Sequence, residues 1–392
     1  MSSNSADPTD IITRVDDSLQ ALPQAAWDAL LAVQDRPTPF MRWAYLHALQ
    51  ASGSASAATG WQPQFVSLWR GEQLLAACPA YLKRHSYGEY VFDWAWADAY
   101  HRHGLAYYPK LLVAVPFTPV PGSRLLAVDS DARALLARAL LALARDTQAS
   151  SLHVLFGDAS DQAALAASGC MARSGVQFHW TAAGDVDFTA FLARLQRDKR
   201  KKIQQEQRRV REVGVSFEAR EGSAITADDW DFFYRCYQQT YREHRSTPYL
   251  SRDFFARMAA DMPAHWLMFI AQRDGKRVAA SLIALDPERR AAYGRYWGAT
   301  EHIPHLHFDA CYYQPLAWCI ARGYQRFEGG AQGEHKMARG LLPTPTASSH
   351  WLAHPAFAEA VNDFLAREGE AMAGYLSELN EHAPYKGANA SS

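Results

Sequence analysis

The chain has 392 residues and a formal net charge of -1, from 40 Lys and Arg against 41 Asp and Glu. At roughly 150 residues per domain, that length predicts two or three domains rather than one. A hydrophobic fraction of 48% with 21% charged residues excludes a disordered chain, and the balanced charge excludes a dedicated DNA-binding protein, although a local basic stripe can hide in the total.

Five cysteines without a CxxC pair (Cys78, Cys170, Cys236, Cys311 and Cys319) predict a reducing compartment and no disulfide framework or zinc ribbon. The first ten residues are polar, read as disordered, and lack a secretory leader pattern. No apolar run approaches the roughly 18 residues that span a bilayer, so a soluble cytoplasmic protein is expected. The 12 Trp residues point to large buried surfaces or an aromatic-lined cleft.

In chain order, short helices are predicted over Ala25–Val33 and Met41–Gln50, with a small-residue loop at 51–60 between them and the strands. Strands follow over Gln64–Trp69 and Gln73–Leu82 around an Arg70-Gly71 turn, then Glu89–Trp96 and the run Lys110–Val115. A helix over Asp131–Asp146, a strand Ser151–Phe156, a short helix to Ser168 and a strand Val176–Thr181 complete the first half. Between Arg194 and Arg211 nine of eighteen residues are basic. Leu192, Leu195, Ile203 and Val210 leave a thin apolar stripe there, which predicts one mostly exposed helix ending at Gly214.

The second half reads strand Val215–Ala219, helices Ala227–Arg242 and Ser251–Asp261, then strands Trp266–Gln272 and Val278–Leu285 joined at Arg273-Asp274-Gly275. Strand Ala292–Ala299 follows, then a helix from Phe308 to Arg322 and strand Gln325–Glu328. Pro315 requires that helix to kink or to begin late. A Gly-rich loop, strand Ser348–Ala353 and helix Pro355–Glu381 close the chain. The order β-α-α-β-β-β-α-β is the one expected of an N-acetyltransferase (GNAT-type) fold. The segment Phe92–Leu112 repeats the layout of Tyr296–Ala317: an aromatic strand, a His-bearing loop and a Tyr-Tyr pair.

SYGEYVFDWAWADAY (Ser86–Tyr100), YYPKLLVAVPFTPV (Tyr107–Val120), GVQFHW (Gly175–Trp180), GRYWG (Gly294–Gly298) and FEGGAQGEHKMARGLLP (Phe327–Pro343) resemble the FemAB-like family of N-acyltransferases associated with peptidoglycan biosynthesis or recognition. The resemblance runs from about Asp35 to Lys386. It implies an α/β (α+β) chain of two tandem GNAT-like domains, with mixed sheets flanked by helices. The expected boundaries are 1–185 for the first domain, 186–213 for the basic connecting helix and 214–392 for the second domain. It also implies transfer of an acyl or aminoacyl group to an amine. In Fem-type ligases the donor is an aminoacyl-tRNA and the acceptor a peptidoglycan precursor. Those ligases carry a two-helix arm where this chain has one basic helix, so tRNA is not the favoured donor.

The loop GGAQGEHKMARG (Gly329–Gly340) is the first candidate site. Its glycines let backbone amides approach a ligand closely. Glu334 or His335 can accept a proton from an attacking amine, and Lys336 can steady an oxyanion; Arg339 adds an anion contact. Arg326–Ala331 fits the R-x-x-G-x-A lettering of a GNAT pyrophosphate loop, but it follows a later strand. The proper place, Thr300–His307, has no glycine, so an ordinary acetyl-CoA grip is not expected. His302, His305 and His307 on an extended segment, near Asp309, read as a polar loop that touches substrate at a helix start rather than as a metal site. Arg295, Tyr296 and Trp297 lie on the strand that borders the expected cleft, with Tyr312 beyond it. Trp297 alone reads more readily as core, whereas Arg295 needs a partner. Asp93, Trp94, Trp96 and Asp98 are the first-domain counterparts, either binding an amine or satisfying turn amides. The basic helix is either solvated or meets an anion through Lys199, Arg200 and Lys202. No GxSxG elbow is present.

The expected function is therefore N-acyl transfer. Glu334, His335 and Lys336 would be catalytic, and Arg295, Tyr296, Trp297, His307, Asp309, Tyr312, Arg339, Asp93 and Trp94 would bind substrate. No metal or resident cofactor is expected. Acyl-CoA or aminoacyl-tRNA would serve as co-substrate, a small-molecule or cell-wall precursor as acceptor, and the basic helix would allow peripheral membrane contact. The alternative is a recognition module that binds a cell-wall or nucleotide-linked ligand in the same cleft and transfers nothing.

Overall fold

The structure, a computed structural model, describes residues 10–331 and 333–386. Most of the polar N-terminal stretch and Gln332 of the Gly-rich loop lie outside the described residues. The chain divides into two compact units, Met1–Gly175 with Thr346–Met372 and Val176–Pro345 with Ala373–Ser392. These differ from the contiguous halves expected from the sequence. The reason is strand Leu342–Leu352, whose residues Ser348 to Leu352 pair antiparallel with Ser151–Leu155 of the first unit. A segment late in the sequence thus completes an early sheet.

The first unit holds two sheets. One joins Ile11–Asp16, Phe65–Arg70, Gln73–Cys78 and Leu126–Ala127. The other runs through Trp61–Pro63, Ala80–Lys83, Lys110–Val113 and Ser151–Leu155. The strand expected over Gln73–Leu82 breaks at Pro79, which has no N–H for a ladder. Lys110–Val113 runs parallel to Ser151–Leu155 for three residue pairs. Helix Ser130–Asp146 makes the crossover. Asp129 caps its N-terminus by accepting from the Ala132 amide at 2.8 Å, and Leu136, Leu140 and Ala144 bury one face at a four-residue period.

One expectation fails here. The segment Glu89–Trp96 is not a strand: a loop leads to helix Trp94–Arg102, which buries Trp96 and Tyr100 at i and i+4. Its aromatics suit a helical period as well as an alternating one, and Asp93 just before it is engaged by Lys110 and Tyr107.

The second unit follows the expected β-α-α-β-β-β-α-β order. Val215–Glu221, Trp266–Arg273, Lys276–Asp286 and Ala291–Ala299 pair antiparallel in sequence. Ala291–Ala299 then pairs parallel with Arg326–Glu328, which meets His179–Thr181. Helix Ala227–Glu243 starts in a capping box between Thr226 and Asp229. It lies so close to the sheet that a Cβ at Gly298 would collide with the Cys236 carbonyl. Pro315 acts as expected: a π turn, Asp309–Tyr313, precedes helix Gln314–Ala321, which holds the proline in its first turn. Among the described residues no helix is long and apolar enough to cross a membrane.

Candidate functional site

The parallel strands of the second unit stay together only for Ala291–Tyr293 opposite Arg326–Glu328. Beyond that point Ala291–Ala299 continues along Lys276–Asp286, through an irregularity at Leu282/Ile283. The other strand ends, and the chain turns away at Gly329 and Gly330. Where they part, a cavity of about 140 Å³ opens between Gly294–Trp297, Ser281–Ile283, Gly329, Gly330 and the His307, Cys311 and Tyr312 side. Glycine is required at its rim. A Cβ at Gly329 would sit 2.6 Å from Leu341 and 3.3 Å from the Lys336 stem, and Gly330 has φ +88.

The structure gathers some of the expected residues at this cavity and takes others away. Arg295 and Tyr296 line it together, with Arg295 Nη2 3.2 Å from the Tyr296 hydroxyl. Trp297 presents its ring edge-on to His307 at 5.4 Å, and its carbonyl accepts from Thr240 at 2.9 Å. Tyr312 meets His335 Nε2 at 3.3 Å.

The loop Glu334–Arg339 is a 3-10 turn. Within it Lys336 is 3% exposed and donates to the Gly330 carbonyl at 3.0 Å. Burial pushes its ammonium down to about 8. Partial burial and then the Arg339 and Lys336 charges hold His335 below its ordinary value. Desolvation, then His335, Arg339 and Lys336, do the same to His307, although the residue as a whole is exposed. Both imidazoles are thus disposed to be neutral.

Glu334 instead accepts from Tyr375. Arg339 is buried against Glu206 at 3.3 Å, donates to the His335 carbonyl at 2.7 Å and lies over the Phe308 ring at 3.6 Å. Asp309 is buried too. It accepts from Gln314 at 2.9 Å, and burial pushes its carboxyl up to about 6. None of these three lines the cavity.

A second, polar concavity of about 390 Å³ adjoins the first and shares Trp297 and His307 with it; Thr240, Glu243, His244, His302 and His305 also line it. The three histidines are not on an extended segment. His305 sits at φ +69 ahead of the short helix Leu306–Phe308, and its Nε2 is 3.2 Å from Arg209. Among the described residues no cluster of His, Cys, Asp or Glu could hold a metal ion.

The basic segment is helix Arg197–Glu212, preceded by the short helix Phe188–Arg194. Lys199 and Arg200 are half-buried and Lys202 is exposed, with Lys199 paired to Asp198 at 3.0 Å. Sequence reading missed Glu206, the buried carboxylate of this helix. Its signal was its place on the apolar stripe, between Ile203 and Val210.

In the first unit the parallel ladder of Lys110–Val113 with Ser151–Leu155 is also three residue pairs long. Arg124, 1% exposed, lies beside the end of the second of these strands. Its guanidinium donates to the carbonyls of Leu155 at 3.0 Å, Gly122 at 3.1 Å and Val120. Asp93 and Trp94 have separate fates. Asp93 belongs to a buried network, accepting from Lys110 and from the Tyr107 hydroxyl at 2.6 Å. Burial works to raise its carboxyl, but Lys110 and His153 prevail and hold it well below the usual range. Lys110 also donates to Glu89 and Ser86, both at 2.7 Å. His153 reaches Tyr107 at 3.1 Å and His350 at 2.7 Å. Trp94 is 42% exposed against Tyr87, and Asp98 is a surface partner of Arg102 at 3.2 Å.

The FemAB-like family, described as peptidoglycan biosynthesis/recognition, matches residues 18–387. None of the curated proteins matches the chain. Among solved structures it is similar to FemX, at 10% identity and a TM-score of 0.53 over 87% of this chain and 98% of that one. It is also similar to L-PGS from Bacillus licheniformis, at 12% identity and 0.51 over 85% and 98%. A third is the C-terminal domain of a lysylphosphatidylglycerol synthetase from Agrobacterium fabrum, at 12% identity and 0.50 over 75% and 85%. At these identities the likeness is one of fold.

Proposed function

The chain belongs to the FemAB-like family, and on that footing we propose that it is an N-acyltransferase whose reaction takes place in the cleft of the second unit. The observation that carries this reading is the parting of two parallel strands over a glycine-rimmed cavity with a buried lysine beside it. An acyl carbonyl laid along Gly294–Trp297 would meet backbone groups that the neighbouring strand leaves open. An amine lone pair attacks the carbonyl carbon, the amine proton passes to a neutral imidazole, and the acyl bond to the carrier breaks as the imidazolium returns that proton to the departing sulfur or oxygen, which leaves as thiol or hydroxyl. His307 lines the cavity, and His335 reaches it through Tyr312. Lys336 stabilises developing negative charge from behind Gly330, and positioning supplies much of the rest. Glu334 and Arg339 support the turn rather than the reacting atoms. Asp309 stays beneath the helix start.

The donor is an acyl-CoA or an aminoacyl-tRNA and the acceptor an amine of a peptidoglycan-type precursor, which sets the reaction in the cytoplasm. The first unit, with Arg124 buried beside the end of strand Ser151–Leu155, serves as scaffold. The test is a thermal-shift comparison of coenzyme A, acyl-CoAs, charged and uncharged tRNA and wall precursors, since a ligand that binds only the folded state raises the melting temperature. Mass spectrometry of the acceptor then follows. A shift with acceptor mass gain, both lost in His307→Ala, supports transfer. Saturable binding without mass change in any donor–acceptor pair would replace it with the recognition-module reading.

A further inference from the structure

We propose that Glu206, on the basic helix, is the positioning residue of the cleft: through Arg339 and Tyr313 it fixes the turn that carries His335 and Lys336. The helix Arg197–Glu212 turns only Ile203, Glu206 and Val210 inward, and Glu206 is 4% exposed. Its carboxylate accepts from the Tyr313 hydroxyl, and both of its oxygens lie 3.3 Å from Arg339 Nη2. Tyr313 belongs to the π turn that also carries Cys311 and Tyr312. Arg339 ends the 3-10 turn and ties back to the His335 carbonyl at 2.7 Å. One carboxylate therefore grips both the π turn, whose Cys311 and Tyr312 line the cavity, and the 3-10 turn, which sets Lys336 against the Gly330 carbonyl. A buried ion pair is a poor source of net stability, and apolar side chains of similar size often do as well. What this pair adds is geometry: with the arginine fixed, the turn cannot rotate, and Lys336 stays under Gly330.

The inference gives the proposed transfer site its alignment, but its test needs no substrate. In Glu206→Gln, hydrogen exchange of residues 333–341 should quicken by about tenfold or more while strands 266–299 keep their protection. The pH midpoint for acetylation of Lys336 by acetic anhydride should rise from about 8 toward the ordinary lysine range. Uniform loss of protection across the second unit, with the Lys336 midpoint unmoved, would reduce Glu206 to a structural residue. The double variant Glu206→Leu/Arg339→Met keeps the site packed should the single variant unfold. It should fold and still show the displaced midpoint. A wild-type midpoint in that variant would overturn the proposal, because packing alone would then suffice. Once a substrate pair is known, Glu206→Gln should lower kcat with KM nearly unchanged.

Discussion

Each unit contains two parallel strands that stay paired for three residues and then part. In the first unit, the buried Arg124 donates to the Leu155 carbonyl at the end of strand Ser151–Leu155 and to the carbonyls of Val120 and Gly122. The Gly122 amide closes the remaining Phe156 carbonyl at 2.9 Å. In the second unit, the equivalent place after the shorter strand is Gly329-Gly330, and the gap is a cavity. Buried backbone groups must be satisfied by something. One unit satisfies such carbonyls with the Arg124 guanidinium, while in the second unit the Lys336 ammonium takes the Gly330 carbonyl at the rim of the cavity.

The comparison breaks most readily at Arg124. Arg124→Met should lower the unfolding free energy by about 3 to 5 kcal/mol, because several buried carbonyls lose their donor together. Arg295→Met, in the open cleft, should cost no more than about 1 kcal/mol, yet abolish the thermal shift given by whichever ligand binds. Chemical denaturation of the two variants checks this, and similar costs would mean that the second cleft is as much a structural core as the first.

A next, smaller effect concerns Lys336. Lys336→Met should cut turnover by about a hundredfold, the scale of losing one oxyanion partner. Its stability effect has the opposite sign. Burial pushes the folded ammonium down to about 8, below the ordinary lysine value of 10.5. Below pH 8 the wild type therefore carries the whole penalty of burying the charge, and the methionine variant should be more stable by up to about 3 kcal/mol. Between pH 8 and 10.5 the unfolded chain binds more protons than the folded one, so wild-type stability rises and the gap should close. Denaturant melts at pH 7 and pH 10 read this directly.

Much of the fold was legible because local chemistry and tertiary packing agree. The second unit's element order, the glycine-containing hairpin at Arg273-Asp274-Gly275 and the π turn just before Pro315 all follow from turn residues and a missing N–H. The first unit was read less well at Trp94–Arg102, where a run of aromatics serves two periods and only burial of Trp96 and Tyr100 decides for helix. Of strand Leu342–Leu352 only the part from Ser348 was expected, and not its partner, since sequence order says nothing of which sheet a late strand joins. At the site, charge and glycine content drew attention to Gly329–Gly340, yet could not tell that Lys336 turns inward toward Gly330 while Arg339 turns to Glu206. Glu206 was passed over because eight-tenths of what surrounds it in sequence is polar, and a carboxylate among cations reads as solvated until packing shows otherwise.

The basic helix gives the mildest and most selective comparison, because its two faces have different tasks. Its inward face holds Ile203, Glu206 and Val210, and its outward face carries the cations. Reversing Lys199, Arg200 and Lys202 together to Glu should leave the unfolding free energy within about 1 kcal/mol, since Lys202 is exposed, Lys199 and Arg200 are only half-buried, and charges so placed contribute little to folding. Any binding to tRNA or to anionic lipid vesicles through this face should vanish, along with its steep dependence on salt. Retention on heparin across a salt gradient, followed by vesicle and tRNA binding, separates these partners. If the reversed helix elutes where the wild type does, the cations only keep the outward face wet, and the donor must be held by the cleft and its polar neighbour alone.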